Sequence, residues 1–208
     1  MPKSEEHSGA REHGRLAFLG QFVRAPLQIG AVAPSSPALA RRMLDGEAFA
    51  DASVVLEYGP GTGSFTDELS TRLGARTRYA GIEINGHMVG RFRERHPDKS
   101  IHHASVAEAD RVCEAEGLPG AGAVDYIVSG LPWASMSRAV QTSILDTTVK
   151  VLRPGGKLIT FGYHVGLCLP AGWRFYSMIE DYFERVERSR WVWKNVPPAF
   201  VVTCTRGG

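Results

Sequence analysis

Cysteine is scarce in this chain: three among 208 residues, Cys113, Cys168 and Cys204. They are odd in number and far apart. They build neither a disulfide framework nor a C-x-x-C metal site, and they fit a reducing compartment. No apolar run approaches the roughly 20 residues that a membrane-spanning helix needs. An excess of one charge is missing too, since 24 Lys and Arg against 22 Asp and Glu leave a formal net charge of +2. That excludes a strongly basic nucleic-acid coat and an acidic tail. Met1 to Glu12 is polar and mixed in charge, unlike a secretory signal. Internal repeats and low-complexity tracts are also absent. What is present, 43% hydrophobic and 22% charged residues, has the balance of a globular domain of the cytoplasm.

The chain divides into three stretches. Residues 1–14 are charged, with Ser and Gly, and read as a disordered tail. Residues 15–50 read as helices. Phe18/Phe22 and Leu19/Val23 are spaced four apart and share a helical face, with Arg11, Arg15 and Arg24 flanking it and Pro26 interrupting it. A second short helix starts at Ser36 as N-cap, with Pro37 at its first position, and closes near Gly46. From residue 51 to 208 strands and helices alternate. Strands are expected at 54–57, 78–84, 100–103, 124–129 and 157–163, then a closing pair at 183–192 and 200–205. Helices are expected at 64–73, 87–95, 137–152 and 173–182. Such alternation means a mostly parallel sheet with helices on both faces, and a closing strand pair adds an antiparallel edge. Ligands of such sheets sit beyond the carboxyl ends of the strands, near the point where strand order reverses.

The strongest motif is Glu57-Tyr58-Gly59-Pro60-Gly61-Thr62-Gly63, directly after a strand and opening a helix. Glycine lets the backbone turn tightly and approach a ligand closely. The next strand ends in an acid, Glu83, which suits a ribose diol. A dinucleotide fold wants G-x-G-x-x-G, whereas this turn reads E-x-G-x-G-x-G. That spacing resembles motif I of class I S-adenosylmethionine-dependent methyltransferases. Leu152-Arg153-Pro154-Gly155-Gly156 resembles the turn before their fifth strand. The resemblance implies a Rossmann-like, seven-stranded, mostly parallel sheet with an antiparallel C-terminal strand. It implies S-adenosylmethionine as cofactor, no metal, and a cofactor site made by Glu57, Gly59, Gly61, Gly63, Glu83, Ile84, Ser105, Val106 and Ser129. Ser105 stands where many such enzymes carry Asp for the adenine amino group.

The fourth strand ends in Ser129-Gly130-Leu131-Pro132-Trp133, which resembles the Asn/Asp-Pro-Pro-aromatic motif of amino-group methyltransferases. Ser129 in place of the amide or acid weighs against a nucleobase substrate. Together with Gly30 to Ser36 and Val192 to Val201, these segments resemble the soluble-type bacterial phosphatidylethanolamine N-methyltransferases and their ornithine-lipid-methylating relatives. The resemblance implies N-methylation of an aminolipid, phosphatidylethanolamine first, giving mono-, di- and trimethylated product. It makes Trp133, Tyr163 and His164 the candidates for catalysis. It makes Ser35, Ser36, Leu131, Pro132, Arg174, Trp193 and Lys194 the candidates for substrate binding. The implied partner is an anionic membrane surface at the inner face of the cell membrane, with no nucleic acid. Leu16 to Ile29 has the apolar face and basic flanks of an interfacial helix, or else caps the cofactor. The alternatives are an RNA adenine methyltransferase, which wants a basic groove, a soluble-amine methyltransferase, and a cofactor-binding module without turnover.

Overall fold

The computed structural model describes residues 36–164, 166 and 170–208. The expected tail, the amphipathic segment from Leu16 to Ile29, Ser35 and Cys168 lie outside them. Seven strands form one sheet: β1 (Val54–Tyr58), β2 (Arg78–Glu83), β3 (Ser100–His103), β4 (Val124–Ser129), β5 (Leu152–Tyr163), β6 (Arg185–Arg188) and β7 (Ala199–Thr205). Their order is β3-β2-β1-β4-β5-β7-β6. The first five pair in parallel, and β7 runs antiparallel between β5 and β6. Six α-helices are described: α1 (Pro37–Leu44), α2 (Ser64–Ser70), α3 (Gly86–Arg95), α4 (Ala109–Ala115), α5 (Arg138–Val151) and α6 (Pro170–Tyr182).

The central strands are buried along their length because helices cover both faces of a parallel sheet. Val55, Leu56, Ile127, Val128, Leu158 and Ile159 are all fully buried. Each such side chain contributes about 1.5–3 kcal/mol relative to exposure. Asp125 ties three strands at the opposite end from the site. Its Oδ2 accepts from the N–H groups of Ser53 (2.8 Å) and Val54 (2.9 Å), and its Oδ1 accepts from Arg153 Nε at 2.6 Å.

Helix α1 begins as expected: Ser36 Oγ accepts from Leu39 N–H, Pro37 occupies the first turn, and Gly46 takes φ +80° just past the end. Four elements differ from expectation. The Pro154-Gly155-Gly156 stretch is an irregularity inside β5, which starts at Leu152. It stays in the sheet because Gly155 N–H donates to Arg206 O and Arg206 N–H to Gly156 O, both at 2.9 Å. Helix α4 was not expected. Ala109, Val112 and Cys113 are its buried face, an i, i+3, i+4 pattern only one turn long. Helix α6 starts at Pro170 rather than at residue 173. Strand β6 stops at Arg188 because the Ser189 hydroxyl accepts from Val201 N–H at 3.0 Å in place of a backbone carbonyl, leaving a single further bridge from Val192 to Ala199.

Candidate functional site

Strand order reverses between β1 and β4, and the residues beyond their carboxyl ends face one another. Gly59 N–H donates to Ile82 O at 2.9 Å, so the loop leaves β1 still attached to β2. Gly59, Gly61 and Gly63 have φ of +64°, +57° and +90°, which only glycine adopts cheaply. They differ in surroundings. A Cβ on Gly59 would lie 3.0 Å from Leu131 Cδ2, and one on Gly63 would collide with the His96 ring. One on Gly61 would meet nothing within 4 Å. The loop is therefore packed at both ends and open in its middle.

Two carboxylates hold this loop. Glu83 Oε2 accepts from Gly61 N–H at 3.2 Å, and its Oε1 accepts from Asn85 N–H at 2.8 Å. Burial raises the Glu83 pKa, and the hydrogen bonds from Asn85, Gly61 and Ile84 oppose that rise. Glu57 lies underneath and is fully buried. Its Oε2 accepts from Thr66 Oγ1 and from the Tyr79 hydroxyl, both at 2.8 Å. Its Oε1 has no hydrogen-bond partner among the described residues. Burial outweighs the two hydrogen bonds and pushes Glu57 up to about 7. Next to Glu83, Ile84 O meets His103 Nε2 at 3.0 Å. Ser105 is buried and caps the turn 106–108 through Ala107 N–H, and Val106 is buried beside it.

The exit from β4 passes close to the loop. Gly130 N–H donates to Tyr58 O at 2.8 Å, and a Cβ on Gly130 would lie 2.9 Å from Gly59 O. Ser129 is buried, and its Oγ is 3.4 Å from Leu131 N. Pro132 is exposed and Leu131 half-buried. Trp133 turns inward: it is 3% exposed, stacked on Phe175 of α6 at 4.5 Å and 17°. Its Nε1 donates to Thr160 Oγ1 (3.0 Å), which donates to Ser129 O (3.2 Å). Gln141 Nε2 donates to Trp133 O (2.8 Å) and Ala171 O (3.1 Å), joining this turn to α6.

At the end of β5, Tyr163 is half-buried and packs edge-on against Phe161 at 5.2 Å. His164 is exposed, its N–H donates to Pro198 O at 3.0 Å, and its ring lies 5.5 Å from Trp191. Trp193 and Lys194 are exposed. Arg174 is half-buried, and its Nε has no partner among the described residues. Ser36 N–H donates to Asn195 Oδ1 at 3.1 Å. The structure thus joins Ser36 to Asn195, within the stretch from Val192 to Val201, across 159 positions of sequence.

A family model described as "Methyltransferase domain" matches residues 55–156, from β1 into β5. The ornithine lipid N-methyltransferase of Singulisphaera acidiphila is 29% identical over 193 residues, covering 90% of this chain and 93% of that protein. An O-methyltransferase from Bacillus cereus, solved in complex with SAH, superposes with a TM-score of 0.66 at 15% identity, covering 99% of this chain and 93% of that one. A TehB-like SAM-dependent methyltransferase from Corynebacterium glutamicum superposes with a TM-score of 0.60 at 14% identity, covering 93% and 98%. Residues 55–156 match a methyltransferase domain, and the described sheet has the class I methyltransferase fold.

The glycine loop fits S-adenosylmethionine, the donor whose demethylated form, SAH, is bound in the Bacillus cereus O-methyltransferase of the same fold. Gly61 offers open backbone, and Glu83 presents a carboxylate at the same place, suited to a pair of hydroxyls. Glu57 supports from below. Ser105 lacks a charge but keeps a hydroxyl proton to donate. Among the described residues no group of three or more His, Cys, Asp or Glu could hold a metal ion, and no helix is long and apolar enough to cross a membrane. Sequence reasoning missed Thr160, Gln141, Phe175 and Asn195. Gln141 carried a signal: it is a polar residue on the buried face of α5, beside Val140, Ile144 and Leu145.

Proposed function

We propose that this enzyme transfers a methyl group to the amine of a membrane lipid. The observation that carries the reading is the rim at the end of β5, where the His164 ring lies against Trp191 at the start of the Trp191–Lys194 stretch. Aromatic faces with a cation close in sequence suit a zwitterionic headgroup, because aromatic faces attract the cation that N-methylation produces. The likeness to an ornithine lipid N-methyltransferase over nine-tenths of the chain supports the lipid class. Ornithine lipid and phosphatidylethanolamine both present an amine beside an acidic group. Arg174, whose Nε has no partner among the described residues, is the side chain we assign to that acid. The enzyme works as a peripheral protein of the inner membrane face.

S-adenosylmethionine, when bound, supplies a methyl group already activated by its sulfonium. The chain's own residues must then position and deprotonate the amine. A free alkylamine has a pKa near ~10, so it arrives charged and without a lone pair. Desolvation under the β4 exit lowers that value. On this reading His164 or Tyr163 relays the proton, or water does. Leu131 and Pro132 wall the amine against the loop. Trp133 acts from within: its stack on Phe175 and its bond to Thr160 fix the turn that bears Leu131 and Pro132.

The test is to incubate the protein with methyl-labelled S-adenosylmethionine and vesicles carrying ornithine lipid, phosphatidylethanolamine or neither, then resolve the lipids. Label in the headgroup amine of one or both is expected. Label that enters only RNA or a soluble amine would overturn the reading.

A further inference from the structure

The connection from β6 to β7 exposes more apolar surface than its fold requires. Trp193 is 72% exposed, Val196 83% and Trp191 36%. Trp191 is backed by Phe200 at 5.1 Å, and Trp193 lies 6.3 Å from Trp191, so the indoles project outward from the sheet edge. Exposed clusters of this kind mark interaction surfaces. From Ser189 to Pro198 the charged residues are Arg190 and Lys194, with no acid. Neither forms an ion pair among the described residues, whereas Arg185 and Arg188 nearby are paired with Glu187 and Glu180.

The stretch is also held in place. Asn195 is 3% exposed, its Oδ1 accepts from Ser36 N–H and its Nδ2 donates to Pro197 O at 2.8 Å. Val192 and Ala199 bridge its base. A held loop bearing indoles, an exposed Val and two unneutralised cations has the chemistry of a bilayer interface. Indole rings sit at headgroup level, and cations pair with acidic lipid.

We propose that Arg190–Val196 docks this protein on an anionic bilayer, with Trp193 and Val196 entering the interface and Arg190 and Lys194 facing acidic headgroups. The proposal rests on the lipid-amine reading and names its docking element. Because His164 N–H is bonded to Pro198 O and the His164 ring packs on Trp191, docking brings the end of β5 to the membrane. Asn195 couples the same loop to the start of α1.

The experiment is flotation of the full chain with vesicles of phosphatidylcholine alone or mixed with phosphatidylglycerol. Binding to the anionic vesicles, weakened by salt, is expected. Each cation lost near an anionic surface costs about fivefold in affinity, so Arg190→Glu should weaken binding at least about fivefold, while Arg190→Lys should bind like the parent. Val196→Asp should weaken it as well. Cofactor affinity serves as the folding check for each variant. Parental vesicle binding by both Arg190→Glu and Val196→Asp would overturn the proposal. So would a change in oligomeric state in place of vesicle binding, which would make the surface a self-association site. If label enters lipid amines but vesicle binding ignores the loop, docking fails and the function stands. If binding depends on the loop but no lipid is methylated, the function fails and docking stands.

Discussion

A methyl group added at Gly61 or at Gly63 probes the same loop in opposite ways. At Gly61 a Cβ meets open space, so Gly61→Ala carries only the cost of a left-handed alanine, about 1–2 kcal/mol, and places a methyl in the space offered to the cofactor. At Gly63 the Cβ strikes the His96 ring at φ +90°. Calorimetric titration and thermal melts should therefore separate them: Gly61→Ala loses cofactor affinity with a modest Tm change, and Gly63→Ala loses Tm first. Glu57 gives a pH test. Its folded pKa is about 7 against an ordinary 4.5, so the native state holds a proton that the unfolded chain releases in that window. Stability falls as pH rises from 4.5 to about 7, then levels. Glu57→Gln should thus be the more stable protein at pH ~8, by about 3 kcal/mol, and by less than about 1 kcal/mol at pH ~5. Melts that show a larger gain at pH ~5 than at pH ~8 would contradict this. Glu57, Glu83 and the three glycines were legible in the sequence as a motif. That Glu57 lies beneath the loop was not, since burial depends on Thr66 and Tyr79 closing over it.

Among the elements, the junction of the β4 exit with α6 is the least visible in sequence and the most specific in structure. Trp133, Thr160, Gln141, Ala171 and Phe175 come from five separate positions in the chain, and only Trp133 stood in a motif. Gln141→Leu keeps the volume but leaves Trp133 O and Ala171 O without that donor. An unsatisfied buried carbonyl costs about 1–3 kcal/mol, so a loss of about 2 kcal/mol is expected in denaturant melts. If the junction positions substrate, kcat/KM for the amine should fall while cofactor affinity holds. Equal losses in both would make Gln141 a purely structural residue. Strands were readable because their apolar runs are long and bounded. The one-turn face of α4 and the end of β6 were not, because a short helix has little periodicity and a serine hydroxyl replaced a ladder partner at Ser189.

In the described sheet, the order β3-β2-β1-β4-β5-β7-β6 brings four groups of candidates to the carboxyl ends of neighbouring strands. The glycine loop follows β1, Glu83 ends β2, Leu131 and Pro132 follow β4, and Tyr163 and His164 close β5. Alternating strands and helices made that arrangement predictable, because parallel strands must all point their carboxyl ends the same way. The pairing of Ser36 with Asn195 was beyond prediction, since nothing local links residues so far apart. The central claim is that this end of the sheet methylates a lipid amine. The most direct measurement is mass spectrometry of a mixed bacterial lipid extract after incubation with the protein and deuterated-methyl S-adenosylmethionine. The account predicts deuterated methyl groups on the amine of an ornithine lipid or of phosphatidylethanolamine, absent when Glu83→Ala replaces the parent. A lipid extract without deuterium, from protein that still binds the cofactor, would contradict it.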